Sequence, residues 1–203
     1  MSGITMRLAA SLMLISGLLL ANAWAQEAKP ERVRGQIVSA DGNHLVVKGP
    51  DGKNFDLMLA PDATVTEVKK ASLDDIKPGR FVGSAAEPAG NGAWKALEVH
   101  IFPVGSRQGE GHRPWQPQAG ATMTNAEVSA AAVQAGNGQL VLRTGGQDYK
   151  LIVPPETPIV SQQPGSRALL VPGNYVGAAA AVPEKGVLMA KAVTAGSVPW
   201  PIK

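Results

Sequence analysis

The chain has 203 residues, a formal charge of +3, three His, no Cys and few aromatics. Without Cys it can form no disulfide staple and do no thiol redox chemistry, so any small domain depends on its apolar core. The basic excess is small and evenly spread, which excludes the concentrated positive footprint of a nucleic-acid-binding protein.

The N-terminus has one charge, Arg7, then an apolar run from Leu8 to Leu20, then Ala23-Trp24-Ala25 before Gln26. These are the three regions of a secretory signal peptide, and residues 1–25 are expected to be removed. The run is shorter than the ~20 residues a spanning helix needs, and nothing later is longer, so no membrane span is expected after cleavage. Arg7 leaves with the leader and the mature charge falls to +2. The expected location is periplasmic or secreted.

Structure is expected from Val33. Apolar strands at 33–39, 45–48 and 55–59 are separated by Asp41-Gly42-Asn43 and Asp51-Gly52. Asp and Gly tolerate the positive φ of tight hairpin turns, so this is a β-meander. Pro61 leads into a fourth strand ending near Val68. Ser72-Leu73-Asp74-Asp75-Ile76 carries an N-cap residue and early carboxylates, which fits one helical turn. Pro78-Gly79 then suits a type II turn, and strands at 81–86 and 94–102 end the first half.

The second half follows the same plan. Pro61 and Pro155, Gly79 and Gly173, Val82 and Val176, Gly83 and Gly177, Ala96 and Ala190, and Val99 and Val193 are each 94 residues apart. Phe55 maps on Tyr149 and Phe81 on Tyr175, and no gap is needed from Gly52 to Val99. The expected fold is all-β: two tandem, six-stranded, OB-like barrels at 33–103 and 125–196. A Gly/Pro-rich linker at 104–124 joins them, and a short strap follows at 197–203. Small antiparallel sheets avoid open edges by curling into barrels. The matched aromatics are expected as core plugs, and Gly83 and Gly177 as bulges or barrel corners.

Gly35-Gln36-Ile37-Val38, the acidic-Gly turn, Pro-Asp-x-Thr, Ser-Leu-x-Asp-Ile, Lys-Pro-Gly-x-x-Val and a closing Ala-x-x-Val resemble a bacterial family of exported OB-like β-barrel domains without an established activity. The resemblance covers both halves and points to a two-copy subgroup. It implies a fold and an envelope location.

The most chemically suggestive residues lie in and beside the linker. Glu98 and His100 are two apart on one strand and share a face, and Glu110 and His112 follow in the linker. If the linker folds back, these four would converge on a divalent metal such as zinc, nickel or copper. The alternative is a polar outer face for Glu98 and His100, with local hydrogen bonds for the loop charges. Arg113 and Trp115 stand in a Pro-flanked strap that Pro199-Trp200-Pro201 echoes at the other end. Each Trp is either a latch on a barrel or a stacking surface for a ligand.

No nucleophile elbow, zinc-protease helix motif or phosphate-cradling loop occurs. The sequence therefore reads as a non-catalytic exported module that binds an envelope protein or polymer. A periplasmic metal-binding protein and an unrecognised hydrolase are the alternatives.

Overall fold

In the computed structural model, residues 30–115, 118–134, 137–184 and 187–199 are described; the expected leader lies outside them. The described chain is all β apart from two 3-10 turns. In order, β1 (Glu31–Asp41), β2 (His44–Lys48) and β3 (Asn54–Lys70) lead to the turn η1 (Leu73–Asp75), and β4 (Phe81–Gly90) and β5 (Ala93–Ile101) follow. After β6 (Gly111–Pro114) come β7 (Thr122–Gln134), β8 (Asn137–Thr144), β9 (Gln147–Val153) and β10 (Ile159–Pro164). The turn η2 (Arg167–Leu169), β11 (Tyr175–Glu184) and β12 (Val187–Gly196) complete the fold.

The turn chemistry explains the hairpins. Gly42 and Gly52 take φ of 58° and 82°, and Gly79 and Gly173 take 83° and 94°. In this left-handed region a Cβ is penalised, so Gly is favoured at each corner. At η1 the Asp75 carboxylate accepts from the Ser72 amide at 2.8 Å and the Ser72 hydroxyl at 3.0 Å.

The strand pairings differ from the tandem arrangement expected of the sequence. β1, β2 and β3 of the first half pair in series, but β12 joins β3, β11 joins β12, and β11 returns to β1. That closes a five-stranded barrel whose last two strands come from the second half. The complementary series runs β7, β8, β9, β5, β4 and back to β7. Each half thus donates its last hairpin to the other half's meander.

The cores record the same exchange. Val33, Ile37, Leu45, Val47, Leu57, Leu59 and Val65 pack with Leu170, Val176 and Val193 in the first. Val128, Leu140, Leu142, Leu151 and Val153 pack with Ile76, Val82, Val99 and Ile101 in the second. The residues after the two 3-10 turns, Ile76 and Leu170, lie in the core of the ring that the following hairpin completes.

The exchange obeys the offset of 94 seen in the sequence. Leu57 faces Leu188 as Leu151 faces Trp94, and Val65 faces Val193 as Ile159 faces Val99. Between the rings, β3 and β10 pair antiparallel about Val68 and Gln162, themselves 94 apart. A local two-fold relation therefore passes through that pair.

Among the described residues the second half has six strands, β7 to β12, and the first half five, β1 to β5. The third and fourth expected strands of the first half run together as β3, and β3 is out of register with β12 between Leu59 and Thr64, where Pro61 lacks an amide. In the second half, Pro154 and Pro155 leave β9 and β10 separate, and β10 lies between β3 and β5 with Ile159 in the second core. The expected linker also contains structure, since β6 lies in it and β7 begins at Thr122.

Candidate functional site

Glu98 and His100 lie on β5. Val99 and Ile101 belong to the second core, so alternation turns Glu98 and His100 away from it. They are nevertheless buried, at 2% and 5% exposure, so the polar outer face expected as the alternative to a metal site is covered over. Part of the covering comes from β10, which runs beside β5 with Val160 level with His100, and Val160 is itself 4% exposed.

The His100 Nε2 atom lies 3.0 Å from Glu98 Oε1, a close contact whose alignment is poor for a hydrogen bond. Arg34 of β1, in the other ring, belongs to the same electrostatic neighbourhood. Burial and the adjacent Arg32 lower its pKa, while the Glu98 carboxylate works in the opposite direction. Sequence reasoning missed Arg34, because no spacing along the chain links it to Glu98.

Gly83 stands opposite His100 on β4 and opposite Asn125 on β7. It is not at a bulge; the β4–β5 register shifts two residues further on, between Ala85 and Ala86. Its reason is close approach. A Cβ there would lie 2.6 Å from Asn125 Oδ1 and 2.9 Å from the Phe102 ring.

The linker residues occupy different places. Glu110 accepts from Arg107 at 3.2 Å, and Arg107 also reaches Glu127 at 2.8 Å and lies over the Phe81 ring. Arg113 donates to the Gly109 carbonyl at 2.7 Å, and the Asn125 amide donates to the Gln108 carbonyl at 3.0 Å. These bonds shape the loop into a staple that delivers β6 to the β7 edge, where Gly111 to Pro114 pair with Asn125 to Thr122.

His112 points from β6 to the core side of the ring. Its Nδ1 lies 2.8 Å from the Thr124 hydroxyl, its ring stacks on Tyr149 at 4.3 Å and 17°, and it meets Trp94 edge-on at 5.2 Å. Tyr149 and Trp94 both pack against the second core. Loss of hydration lowers the His112 pKa, so the neutral imidazole is the favoured form. Tyr149, expected as a core plug, is thus half of a stacked pair at the rim.

The four metal candidates are not brought together. Glu98 and His100 face away from the second core, His112 stands at its rim, and Glu110 sits in the loop on Arg107. Among the described residues no group of three or more His, Cys, Asp or Glu is placed to hold a metal ion. Trp115 is half-buried, its amide donating to the Ala121 carbonyl at 2.9 Å across the β6–β7 turn. Trp200 lies outside the described residues.

No family model, curated protein or solved structure matches the chain. The resemblance drawn from its motifs therefore brings no relative's site or activity with it. Among the described residues no helix is long and apolar enough to cross a membrane.

Proposed function

We propose that this chain is an exported, non-catalytic interaction module of the cell envelope, with a protein segment or an envelope polymer as its partner. Its two rings are read as a pair of small OB-like barrels built from one repeated unit. Export rests on the leader at residues 1–25, which places the mature chain in the periplasm or outside the cell.

The observation that carries the reading is β6. Four residues of a Gly/Pro-rich connector lie as an extended strand along β7, held by main-chain pairing and by the His112 stack. Strand addition of this kind is a general way for a sheet to hold a polypeptide, with backbone bonds giving affinity and alternate side chains giving specificity. The metal alternative has its residues in separate places, and no observation favours a hydrolase.

The test uses the mature chain, residues 26–203, immobilised and offered two fractions separately: detergent-extracted envelope proteins and purified peptidoglycan. Reproducible, saturable enrichment from one of them is the expected result. Absence of enrichment from both would overturn the reading.

A further inference from the structure

The second ring closes through β7, β8, β9, β5 and β4, so closure does not require β6. β8 pairs with β7 only from Glu127 onward, on the side away from β4. β6 continues that side over Thr122–Asn125, and without it this stretch of β7 would be an open edge. β6 is also held by few contacts. Among the described residues its one strand neighbour is β7. The Trp115 amide donates to the Ala121 carbonyl, so by alternation Arg113 and Gly111 carry the ladder bonds, and His112 and Pro114 turn their main chain outward. The amide that Pro114 lacks therefore costs no ladder bond.

Much of the connector is tied to itself: Ser106 donates to Pro103, Glu110 to Arg107, Arg113 to Gly109 and Ala121 to Gln118. Its ion pair to the ring, Arg107 with Glu127, is exposed, and such pairs contribute little. The firmer ties are the His112 stack on Tyr149 and the bond from Asn125 to the Gln108 carbonyl. Even so the fit is incomplete. Pro114 stands opposite Thr122 and Gly111 opposite Asn125. Thr122 Oγ1 and Asn125 Oδ1 are buried with no hydrogen-bond partner among the described residues, and neither Pro nor Gly has a side chain that could supply one.

We propose that β6 is an internal stand-in for a partner: the β7 edge from Thr122 to Asn125 takes an extended segment of another protein when β6 lifts away. The proposal rests on the interaction-module reading and narrows the partner to a protein. The segment runs antiparallel to β7, as β6 does, and carries a flat ring at the place of His112 to stack on Tyr149. Two residues later, opposite Thr122, it carries a hydroxyl or carboxamide side chain, which supplies the hydrogen bond that Pro114 cannot. β6 competes with the advantage of its tether, so a guest succeeds by repairing the fit.

The test locks β6 in place. The chain has no Cys, so Arg113→Cys with Met123→Cys gives a single disulfide across the β6–β7 pair, whose Cα spacing of about 5.5 Å suits the bond. The probe is a labelled heptapeptide with the sequence of residues 109–115 and Gln in place of Pro114, and binding to the mature chain is read by fluorescence anisotropy. Wild type and the reduced double variant should bind it. Oxidation of the variant should weaken binding at least about tenfold, and reduction should restore it. Peptides that keep Pro114, or that carry Ala in place of His112, should bind about tenfold more weakly than the probe. In the free chain the amides of Gly111–Arg113 should exchange faster than that of Leu142, which is fully buried in the second core.

Equal binding by the oxidised and reduced forms, no binding by either, or exchange at Gly111–Arg113 no faster than at Leu142 overturns the site. Equal binding of all three peptides overturns the partner's chemistry. Dimers that form only when the variant is reduced would mean that β6 of a second copy is the guest, and enrichment from peptidoglycan alone would mean a polymer; either overturns the proposal. If the oxidised variant still enriches the same envelope protein as the reduced one, the site is wrong while the interaction reading stands. Failure of the wild-type chain to enrich anything counts against that reading itself.

Discussion

A cut in the connector separates exchanged rings from self-closing halves. Val104 is 87% exposed, so a protease recognition sequence inserted between Val104 and Gly105 can be cleaved in the folded protein. After the cut, the second fragment still supplies Leu170, Val176 and Val193 to the first core, and the first fragment still supplies Ile76, Val82, Val99 and Ile101 to the second. At about 1.5–3 kcal/mol for each large aliphatic side chain, the gross gain between fragments is about 10–20 kcal/mol. That is an upper bound, because isolated fragments bury some of this surface, and association costs at least about 4 kcal/mol. The pairing of β1 with β11, β3 with β12 and β10, and β4 with β7 adds to what remains. The fragments should stay together at a concentration of about 100 µM. Light scattering should then report the mass of the uncut chain, and a denaturing gel should show two pieces. Separation into two folded fragments without denaturant would refute the exchange.

Further outcomes follow from single contacts. Gly83→Ala places a Cβ against Asn125 and Phe102 and should cost about 1–3 kcal/mol, read from the urea midpoint; an unchanged midpoint would mean the neighbours give way freely. Glu98→Ala leaves His100 and Arg34 without the carboxylate and should cost about 3–5 kcal/mol, and a loss below about 1 kcal/mol would show that water reaches the pair. The folded state disfavours protonated His112, so the unfolded chain binds the proton more readily and stability should fall as pH drops below about 6.5. His112→Gln should remove that part of the slope, and identical slopes for wild type and variant would assign the effect elsewhere. Amino-terminal sequencing of the exported protein should begin at Gln26; a chain that keeps Met1 would refute cleavage.

Much of the secondary structure was legible because its causes are local. The Asp-Gly and Pro-Gly corners, the Ser72–Asp75 turn and the alternation of apolar residues each act over a few positions. The candidate site was legible only in part. Glu98 and His100 do share a face, as their spacing requires, but their burial depends on β10 lying beside β5 and on Arg34 arriving from the other ring. Likewise the stack of His112 on Tyr149 joins residues 37 positions apart and needs β6 to be seated first.

By itself the sequence determined an all-β chain whose halves share one register, since turn residues, strand alternation and an offset of 94 all survive without knowledge of the fold. Only the tertiary structure decided which hairpin closes which ring. Self-closing and exchanged rings give each strand equivalent neighbours and bury equivalent side chains, so local patterns cannot tell them apart. The difference lies in the crossing: β3 runs straight on to Lys70, and β3 and β10 pair about Val68 and Gln162 between the rings.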